Sequence, residues 1–287
     1  MSNRLPSHRS PSTPASATPG FAGRAELLLR PAAERFHSQH DWLDSWHSFS
    51  FANHHDPAWM GFGPLRVIND DRIAAGRGFG MHRHQDMEII TVMVAGELSH
   101  QDSIGHRSTL HAGEVQCMSA GTGLLHSEIN GSDQSCRLLQ IWIEPSRQGL
   151  PPSYQQKPFP PGAGWSLLID PDASQGAMAI QRPVRLWRGQ PPAGSSLDLP
   201  LAAGSQGWIQ MISGELEFRV HGPSGASTGR LRQGDGLGLL AAQSANQSAN
   251  RAASRTAASR TAELTAGPRA SLTALASGAD LLCFELG

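Results

Sequence analysis

The sequence predicts an all-β protein with two domains. Its 287 residues suggest more than one domain of ordinary size, and 31 glycines with 20 prolines indicate many turns between short elements. From Gly78 onward, short apolar runs alternate with turn residues at a spacing typical of a β-sandwich or a small β-barrel. These observations favour short strands over long helices.

The chain divides into a tail, two β units and an insertion. Five prolines among the first 31 residues predict a disordered tail over residues 1–24, although its Ser- and Arg-rich composition also has some likeness to a transit peptide. We expect the first domain over residues 25–145 and the second over residues 146–287. Residues 241–262 repeat short Ala- and Ser-rich units, which predict a low-complexity insertion in the second domain.

The first domain begins with aromatic residues and continues with strand-like runs. Six tryptophan and phenylalanine residues between positions 42 and 68 predict packed, irregular β structure. Apolar, β-branched runs follow at residues 89–94, 98–100 and 115–118, and each is followed by a glycine turn. Proline-rich sequence at residues 145–162 then predicts the connection between the two halves.

Parts of the first half recur in the second. The segment "VMVAGELSH" at residues 92–100 is similar to "QMISGELEF" at 210–218, and "LHAGEV" at 110–115 is similar to "LRQGDG" at 231–236. The two offsets, 118 and 121 residues, are nearly equal and the order is the same. The pattern therefore predicts duplication of one β unit.

Composition excludes several classes of partner. With 23 basic and 24 acidic side chains the formal charge is -1, so no general electrostatic attraction to nucleic acid or an anionic membrane is expected. No apolar run reaches the roughly 18 residues that a membrane-spanning helix needs. Cys117, Cys136 and Cys283 form no CxxC pair and are interpreted as reduced thiols of a cytoplasmic protein. A small-molecule partner is the expectation that remains.

Two pairs of polar residues have a spacing that is informative in a strand. His82 and His84 are separated by one residue, as are His126 and Glu128. In a strand, residues i and i+2 point to the same face about 6.6 Å apart, whereas in a helix they diverge by about 200°. One such pair alone would more often be a pair of surface or core histidines. Two pairs predict a centre of three imidazole nitrogens and one carboxylate oxygen.

This donor set suits one divalent transition metal. Fe(II), Mn(II), Ni(II), Cu(II) and Zn(II) all accept imidazole and carboxylate, whereas the absence of sulfur donors disfavours Cu(I) and iron–sulfur clusters. Imidazole binds a metal only when neutral, so we expect metal release below about pH 6. Four protein donors leave one or two positions of an octahedral ion open. Open positions favour catalysis or ligand binding over a closed structural site.

Other residues near these four donors are less strongly indicated as metal ligands or as pocket residues. Glu88 lies four residues after His84 and competes as the fourth ligand, or else accepts a hydrogen bond from a ligand imidazole. If the strand phase continues without a bulge, Ile90, Val92 and Val94 line a pocket for a flat ligand. His37 with His40, and His54 with His55 and Asp56, are a weaker alternative site, and capping and hydrogen bonding are expected there instead. His100, His106 and His111 lie near turns and are expected to be solvated.

The second half lacks the donors of the first. Positions equivalent to the first pair fall near residues 200–202, and those equivalent to the second pair fall within the insertion. Only His221 follows His126 in the chain. We therefore expect a metal in the first unit and a purely structural role for the second.

Longer motifs around these residues resemble those of a known family. The pattern G-x5-H-x-H-x3-E over residues 76–88 and "GEVQCMSAGTGLLHSE" over residues 113–128 resemble the two metal motifs of the pirin family in the cupin superfamily. Residues 42–73 and "LLQIWIEP" at 138–145 are similar to the bacterial pirin-like branch described as quercetin 2,3-dioxygenases. Many relatives read HPHR where this chain has His-Arg-His-Gln, a difference expected to alter the rim of the pocket.

The resemblance implies a fold, a metal and a reaction. The fold would be a bicupin of two antiparallel β-barrels of jelly-roll type, and His82, His84, His126 and Glu128 would hold the ion, for which we expect Fe(II). The activity would be cleavage of the heterocycle of a flavonol such as quercetin by dioxygen, with release of carbon monoxide and with Glu128 as the base. We expect a monomer that takes a small aromatic substrate.

An alternative from another class remains open. Resemblance to eukaryotic pirins implies a non-enzymatic protein whose metal senses redox state and alters its affinity for a transcription factor or a metabolic enzyme. That alternative predicts an exposed patch near the metal, involving Arg83 and Arg107, and no turnover.

Overall fold

The structure is a computed structural model that describes residues 27–202, 205–222, 225–240 and 270–287. In these residues the chain forms almost only β-strands, with short 3-10 helices at Ala32–Glu34, Pro57–Trp59 and Ser174–Gly176. The all-β prediction is therefore confirmed. The predicted tail at residues 1–24 and the predicted insertion at residues 241–262 lie outside the described residues.

The first half of the chain forms strands that are four to nine residues long. In order they are β1 Leu27–Arg30, β2 Phe36–Gln39, β3 Leu43–His47, β4 Leu65–Ile73, β5 Gly78–His84, β6 Glu88–Ala95, β7 Glu97–Asp102, β8 Arg107–His111, β9 Glu114–Ser119, β10 Leu124–Ile129, β11 Cys136–Ile143 and β12 Ser153–Pro158.

The second half includes two long strands that bend through irregular pairing. Its strands are β13 Trp165–Ile169, β14 Val184–Gly189, β15 Ser196–Asp198, β16 Gln206–Gly222, β17 Gly225–Arg232, β18 Gly236–Leu239 and β19 Ala270–Leu286.

Two antiparallel sheets form the first half. The larger has seven strands in the order β12-β9-β6-β11-β4-β3-β2, and the smaller has four in the order β5-β10-β7-β8. Hydrogen bonding in the described residues does not close either sheet into a barrel, so the predicted barrels are open antiparallel sheets. Polar side chains from both sheets meet across the interior, where the Thr91 hydroxyl lies 3.3 Å from a carboxylate oxygen of Glu128.

Strand exchange joins the two halves. Strand β1 pairs with β18 of the second half, and β12 pairs with β9 of the first. Two strands therefore cross the domain boundary that we predicted between residues 145 and 146. Because a β-strand must satisfy its backbone hydrogen bonds on a neighbour, the sheet membership of a strand depends on pairing and not on its place in the chain.

A shared apolar core lies between the halves. It combines residues of the large first-half sheet, such as Ile141, with residues of the second half, such as Leu186, Trp208 and Phe284, all fully buried. Burial of side chains of this size contributes roughly 1.5–3 kcal/mol each. This core fixes the outer face of the large sheet against the second half and leaves its inner face for the site.

The internal repeat is visible in the turns. Gly96 and Gly214, 118 residues apart, adopt φ values of 73° and 76°, and Gly113 and Gly234, 121 residues apart, adopt 88° and 85°. Left-handed backbone of this kind favours glycine because a side chain would crowd the following carbonyl. The same turns recur at the predicted offsets, which supports the duplication of one β unit.

The described residues contain no helix long and apolar enough to cross a membrane. The three cysteines are free and buried.

Candidate metal centre

Neighbouring strands bring the predicted donors together. His82 and His84 lie on β5, and His126 and Glu128 lie on β10, which pairs with β5 in the small sheet. His126 is the direct cross-strand partner of His82. The register shifts between His126 and Glu128, where β10 carries a bulge or irregularity.

The three histidines form a compact cluster. The ring centroid of His82 lies 4.4 Å from that of His126, and the ring of His84 lies 4.8 Å from each of the others. One ring nitrogen of each lies within 4.8 Å of the other two. His82 Nδ1 lies 2.8 Å from the carbonyl of Gly80, which can only accept, so Nδ1 carries the proton and Nε2 keeps its lone pair.

The ring nitrogens of His126 have no hydrogen-bond partner in the described residues. The side chain itself is fully buried. A buried polar group without a partner costs about 1–3 kcal/mol. A cation between the three rings would satisfy one of these nitrogens, so the residues fit a divalent metal ion.

Burial keeps two of the three rings, those of His84 and His126, neutral, as metal binding requires. Burial, together with the neighbouring His82 and His84, lowers the pKa of His126 to about 2. Burial and His82 lower the pKa of His84 to about 4. Protons therefore compete for these nitrogens only at a pH lower than an ordinary histidine would suggest. This moves the expected loss of metal from about pH 6 to more acidic solution.

Glu128 is buried, like His126, and its carboxylate is hydrogen-bonded. One carboxylate oxygen accepts a hydrogen bond from the Gln116 amide at 3.3 Å, and the other accepts one from the Gln140 amide at 2.8 Å. Burial raises the pKa of the carboxyl group. Glu128 belongs to a second group of close ligand atoms, with His126 and His100. His126 is thus common to both groups.

The prediction that His100 is solvated was wrong. Its side chain is buried, with 1% of the residue exposed. Strand β7 pairs with β10 so that His100 lies directly opposite Glu128, and its ring stacks on Tyr154 at 4.6 Å. The nearby turn residues suggested solvent, but cross-strand pairing decides which way the ring points. His106 and His111, with side chains 41% and 61% exposed, match the prediction.

Glu88 and the three predicted pocket residues lie on the face of the large sheet that packs against the second half, away from the histidine cluster. Ile90 and Val92 are fully buried in the core between the two halves, and Val94 packs against it. Glu88, on the same face of β6, accepts a hydrogen bond from Ser119 at 2.9 Å, and burial raises its pKa. The prediction that these residues line the metal pocket is therefore corrected.

The physical reason is a break in strand phase. Asp86 adopts a φ of 49° between β5 and β6, and the two strands belong to different sheets. Alternation is preserved only within a continuous strand, so the phase of the histidines does not carry over to β6. Thr91, one residue out of phase with Ile90, is the β6 residue that reaches Glu128.

Aromatic side chains border the cluster instead. The ring of Trp142 meets His84 edge-on at 4.9 Å, and Phe79 lies 6.2 Å from His82. Trp142 also packs against an apolar group that includes Ile89 and Met118. Sequence reasoning missed these residues. Alternation along β11, where Gln140 and Trp142 share a face, was the available signal.

The open sheets and the histidine cluster define a two-domain protein of cupin type with a candidate metal centre in its first half. The family model described as Pirin matches residues 30–143, and the one described as Quercetinase C-terminal cupin domain matches residues 167–255. The chain belongs to the pirin family.

Known relatives agree with this assignment. The chain is 47% identical over 191 residues to the quercetin 2,3-dioxygenase of Escherichia coli strain K12, covering 66% of this chain and 83% of the relative. It is 39% identical over 206 residues to the pirin-like protein of Caulobacter vibrioides, covering 70% and 85%. The crystal structure of bacterial pirin YhhW from Escherichia coli in complex with nickel(II) aligns with a TM-score of 0.75 at 38% identity, covering 91% of this chain and 99% of that one.

Proposed function

We propose that this protein is a metal-dependent dioxygenase that cleaves the heterocycle of a flavonol such as quercetin and releases carbon monoxide. The observation that carries the proposal is the cluster of three imidazoles with converging ring nitrogens, in which buried His126 has no hydrogen-bond partner among the described residues. The name of the Escherichia coli relative supports the substrate class.

In this proposal His82, His84 and His126 hold one divalent ion, and Glu128 completes the set. Fe(II) is the ion we expect, although the same donors accept Mn(II), Ni(II), Cu(II) or Zn(II). The nickel(II) bound by the related YhhW supports a divalent ion of this class. When bound, such an ion supplies Lewis acidity and open coordination positions.

Glu128 is the residue we assign as base. Burial raises its pKa, which brings the carboxylate closer to the range in which a general base works at neutral pH. It would take the proton of the flavonol hydroxyl onto one carboxylate oxygen. The amides of Gln116 and Gln140 hold that carboxylate in place by donating one hydrogen bond to each of its oxygens.

The aromatic border would bind the flat substrate. Trp142 and Phe79 lie beside His84 and His82, so an aromatic ligand near the histidines would contact both indole and phenyl surfaces. The apolar group behind Trp142 would keep water from that side of the ligand. These residues replace Ile90, Val92 and Val94 as the proposed pocket.

The test is a metal-by-metal assay. Metal-free protein would be loaded anaerobically with iron, manganese, nickel or copper, then given quercetin and dioxygen, and carbon monoxide would be measured. We expect turnover with at least one ion, its loss in a His126→Ala variant, and normal turnover in His111→Ala, where the side chain is exposed. Absence of turnover with every ion would refute the proposal and leave the non-enzymatic regulator. Elemental analysis of untagged protein would identify the native ion.

A further inference from the structure

His100 is a buried histidine with an unsatisfied nitrogen. Its Nε2 lies 3.2 Å from Asp102 Oδ2. Because an ionised carboxylate only accepts, Nε2 carries the proton and Nδ1 keeps its lone pair. Nδ1 is buried and has no hydrogen-bond partner among the described residues. The proposed dioxygenase mechanism gives this residue no role.

Asp102 holds His100 in one orientation. Its Oδ1 accepts hydrogen bonds from the backbone N–H groups of Ile104 and His106 at 3.0 and 2.9 Å, and its Oδ2 also receives the His106 ring at 3.0 Å. Tyr154 stacks on one face of the His100 ring. With its carboxylate partner anchored and one face covered, the His100 ring has little freedom to turn.

The ring of His100 lies close to the metal cluster. The His100 and His126 ring centroids are 5.3 Å apart, and one nitrogen of each lies within 4.8 Å of the other and of a Glu128 oxygen. A histidine that binds a metal through one nitrogen normally donates the other N–H to an acceptor. Among the described residues His126 has no such acceptor and His100 Nδ1 has no donor. A hydrogen bond from His126 to His100 Nδ1 would therefore supply both the missing acceptor and the missing donor.

We propose that His100, oriented by Asp102, is a positioning residue that acts when the metal is bound: its Nδ1 then accepts the N–H of the His126 nitrogen that does not hold the metal, a hydrogen bond that the described residues do not make without the metal. This inference rests on the proposed metal centre. The chain Asp102–His100–His126 fixes the tautomer of His126 and the direction of its free lone pair. Loss of such a partner lowers metal affinity about 10–100-fold.

The test measures metal binding in the full chain without substrate. Metal-free protein would be titrated with Co(II) and with Ni(II). The first variant is His100→Phe, which keeps an aromatic ring against Tyr154 but removes the acceptor. We expect its dissociation constant to rise about 10–100-fold. His106→Ala is the matched control, since it removes the other imidazole on Asp102 from a partly exposed position, and we expect no change in affinity.

Two further variants separate positioning from packing. Asp102→Asn leaves His100 in place but lets the new amide donate to Nε2, which moves the proton to Nδ1 and removes the acceptor. We expect the same loss of affinity as for His100→Phe. His100→Gln, whose amide oxygen can accept, should recover part of the affinity. A melting temperature and a near-ultraviolet circular dichroism spectrum would confirm that each variant is folded.

Spectroscopy distinguishes this role from direct ligation. In Cu(II)-loaded protein, pulsed electron paramagnetic resonance counts the coordinated imidazoles, and we expect the same count in wild type and His100→Phe. A lower count in the variant would overturn the proposal by making His100 a ligand, and so would unchanged affinity in both His100→Phe and Asp102→Asn. Because no step uses quercetin, a failure of the dioxygenase proposal would leave these results unaffected.

Discussion

The two halves of the molecule share a chain path but fill their interiors differently. At the offset of 118 residues, Thr91, His100 and Asp102 of the first half correspond to Ile209, Phe218 and Val220 of the second. The three first-half residues surround the candidate metal centre. Their counterparts all lie in the apolar core of the second half. The same β unit thus supports either a polar site or a packed core.

The residues that donate hydrogen bonds to the Glu128 carboxylate are also replaced by apolar residues in the second half. At the offset of 121 residues, Gln116 corresponds to Leu237, and the place of Gln140 beside Thr91 is taken by Cys283 beside Ile209. Leu237 and Cys283 belong to the same apolar core. A buried polar network destabilises a fold unless every member is satisfied. Because the described counterparts in the second half are apolar, the network in the first half indicates a functional requirement there.

The largest expected effect concerns metal binding. His126→Ala removes the residue common to both groups of ligand atoms, and we expect a fall in affinity greater than the roughly 100-fold that loss of an outer partner causes. His221→Ala, at an exposed position of the second half, should leave affinity unchanged. Isothermal titration with Ni(II) would measure both. Equal loss in the two variants would contradict the assignment of the metal to the first half.

The second half should respond to core mutations through stability alone. Phe218→Ala removes a ring that is 8% exposed within the apolar core, and we expect a loss of about 3–5 kcal/mol in the free energy of unfolding. Urea denaturation would measure it. The metal affinity of the folded variant should match that of wild type, and a large fall would show that the second half shapes the site.

The polar interior should make the stability of the first half depend on pH. Burial raises the pKa of Asp71 to about 7, so the folded protein holds a proton there that the unfolded chain loses near its ordinary value of 3.8. Metal-free wild type should therefore lose up to about 4 kcal/mol between pH 4 and pH 8 from this group. Asp71→Asn removes that loss, so the variant gains stability relative to wild type as the pH rises.

Urea midpoints across this pH range would test the Asp71 prediction. Asp133→Asn, at an exposed position, is the control and should follow wild type. Parallel pH profiles for wild type and Asp71→Asn would show that Asp71 is ionised in the folded protein at little cost.

The smallest effects should be found at the turns that the halves share. Alanine at a left-handed position costs about 1–2 kcal/mol, which applies to Gly113 and to its counterpart Gly234. A side chain at Gly113 finds open space to 4.0 Å, whereas one at Gly234 would meet the Arg35 guanidinium at 2.5 Å. Thermal unfolding should therefore show a larger loss for Gly234→Ala, and metal affinity should not change in either variant.

Much of this architecture could be predicted from local sequence. Alternating apolar runs and glycine turns predicted the strands, and the offsets of the repeat matched the left-handed glycines of both halves. The i, i+2 spacing predicted that His82 and His84 share a face, because alternation within one strand is a property of the backbone. These predictions needed only short-range geometry.

The residues whose positions were predicted wrongly are those whose positions depend on how the strands pair. Which face of β6 meets the interior, and hence the positions of Glu88 and Ile90, depended on the break near Asp86 and on sheet membership. His100 followed a turn-rich pattern, and only its pairing opposite Glu128 placed it inside. Strand pairing couples residues far apart in the chain, and a single sequence does not specify which residues of two strands lie opposite each other.

The sequence by itself determined the all-β class, the duplicated unit and the restriction of histidine donors to the first half, because composition, spacing and repeats are encoded along the chain. The tertiary structure alone decided which residues face the cluster, which strands cross between the halves and that His126 has no hydrogen-bond partner within the part of the chain that the structure describes. Those outcomes depend on register and on the face of each strand, and a shift of one residue reverses every side chain.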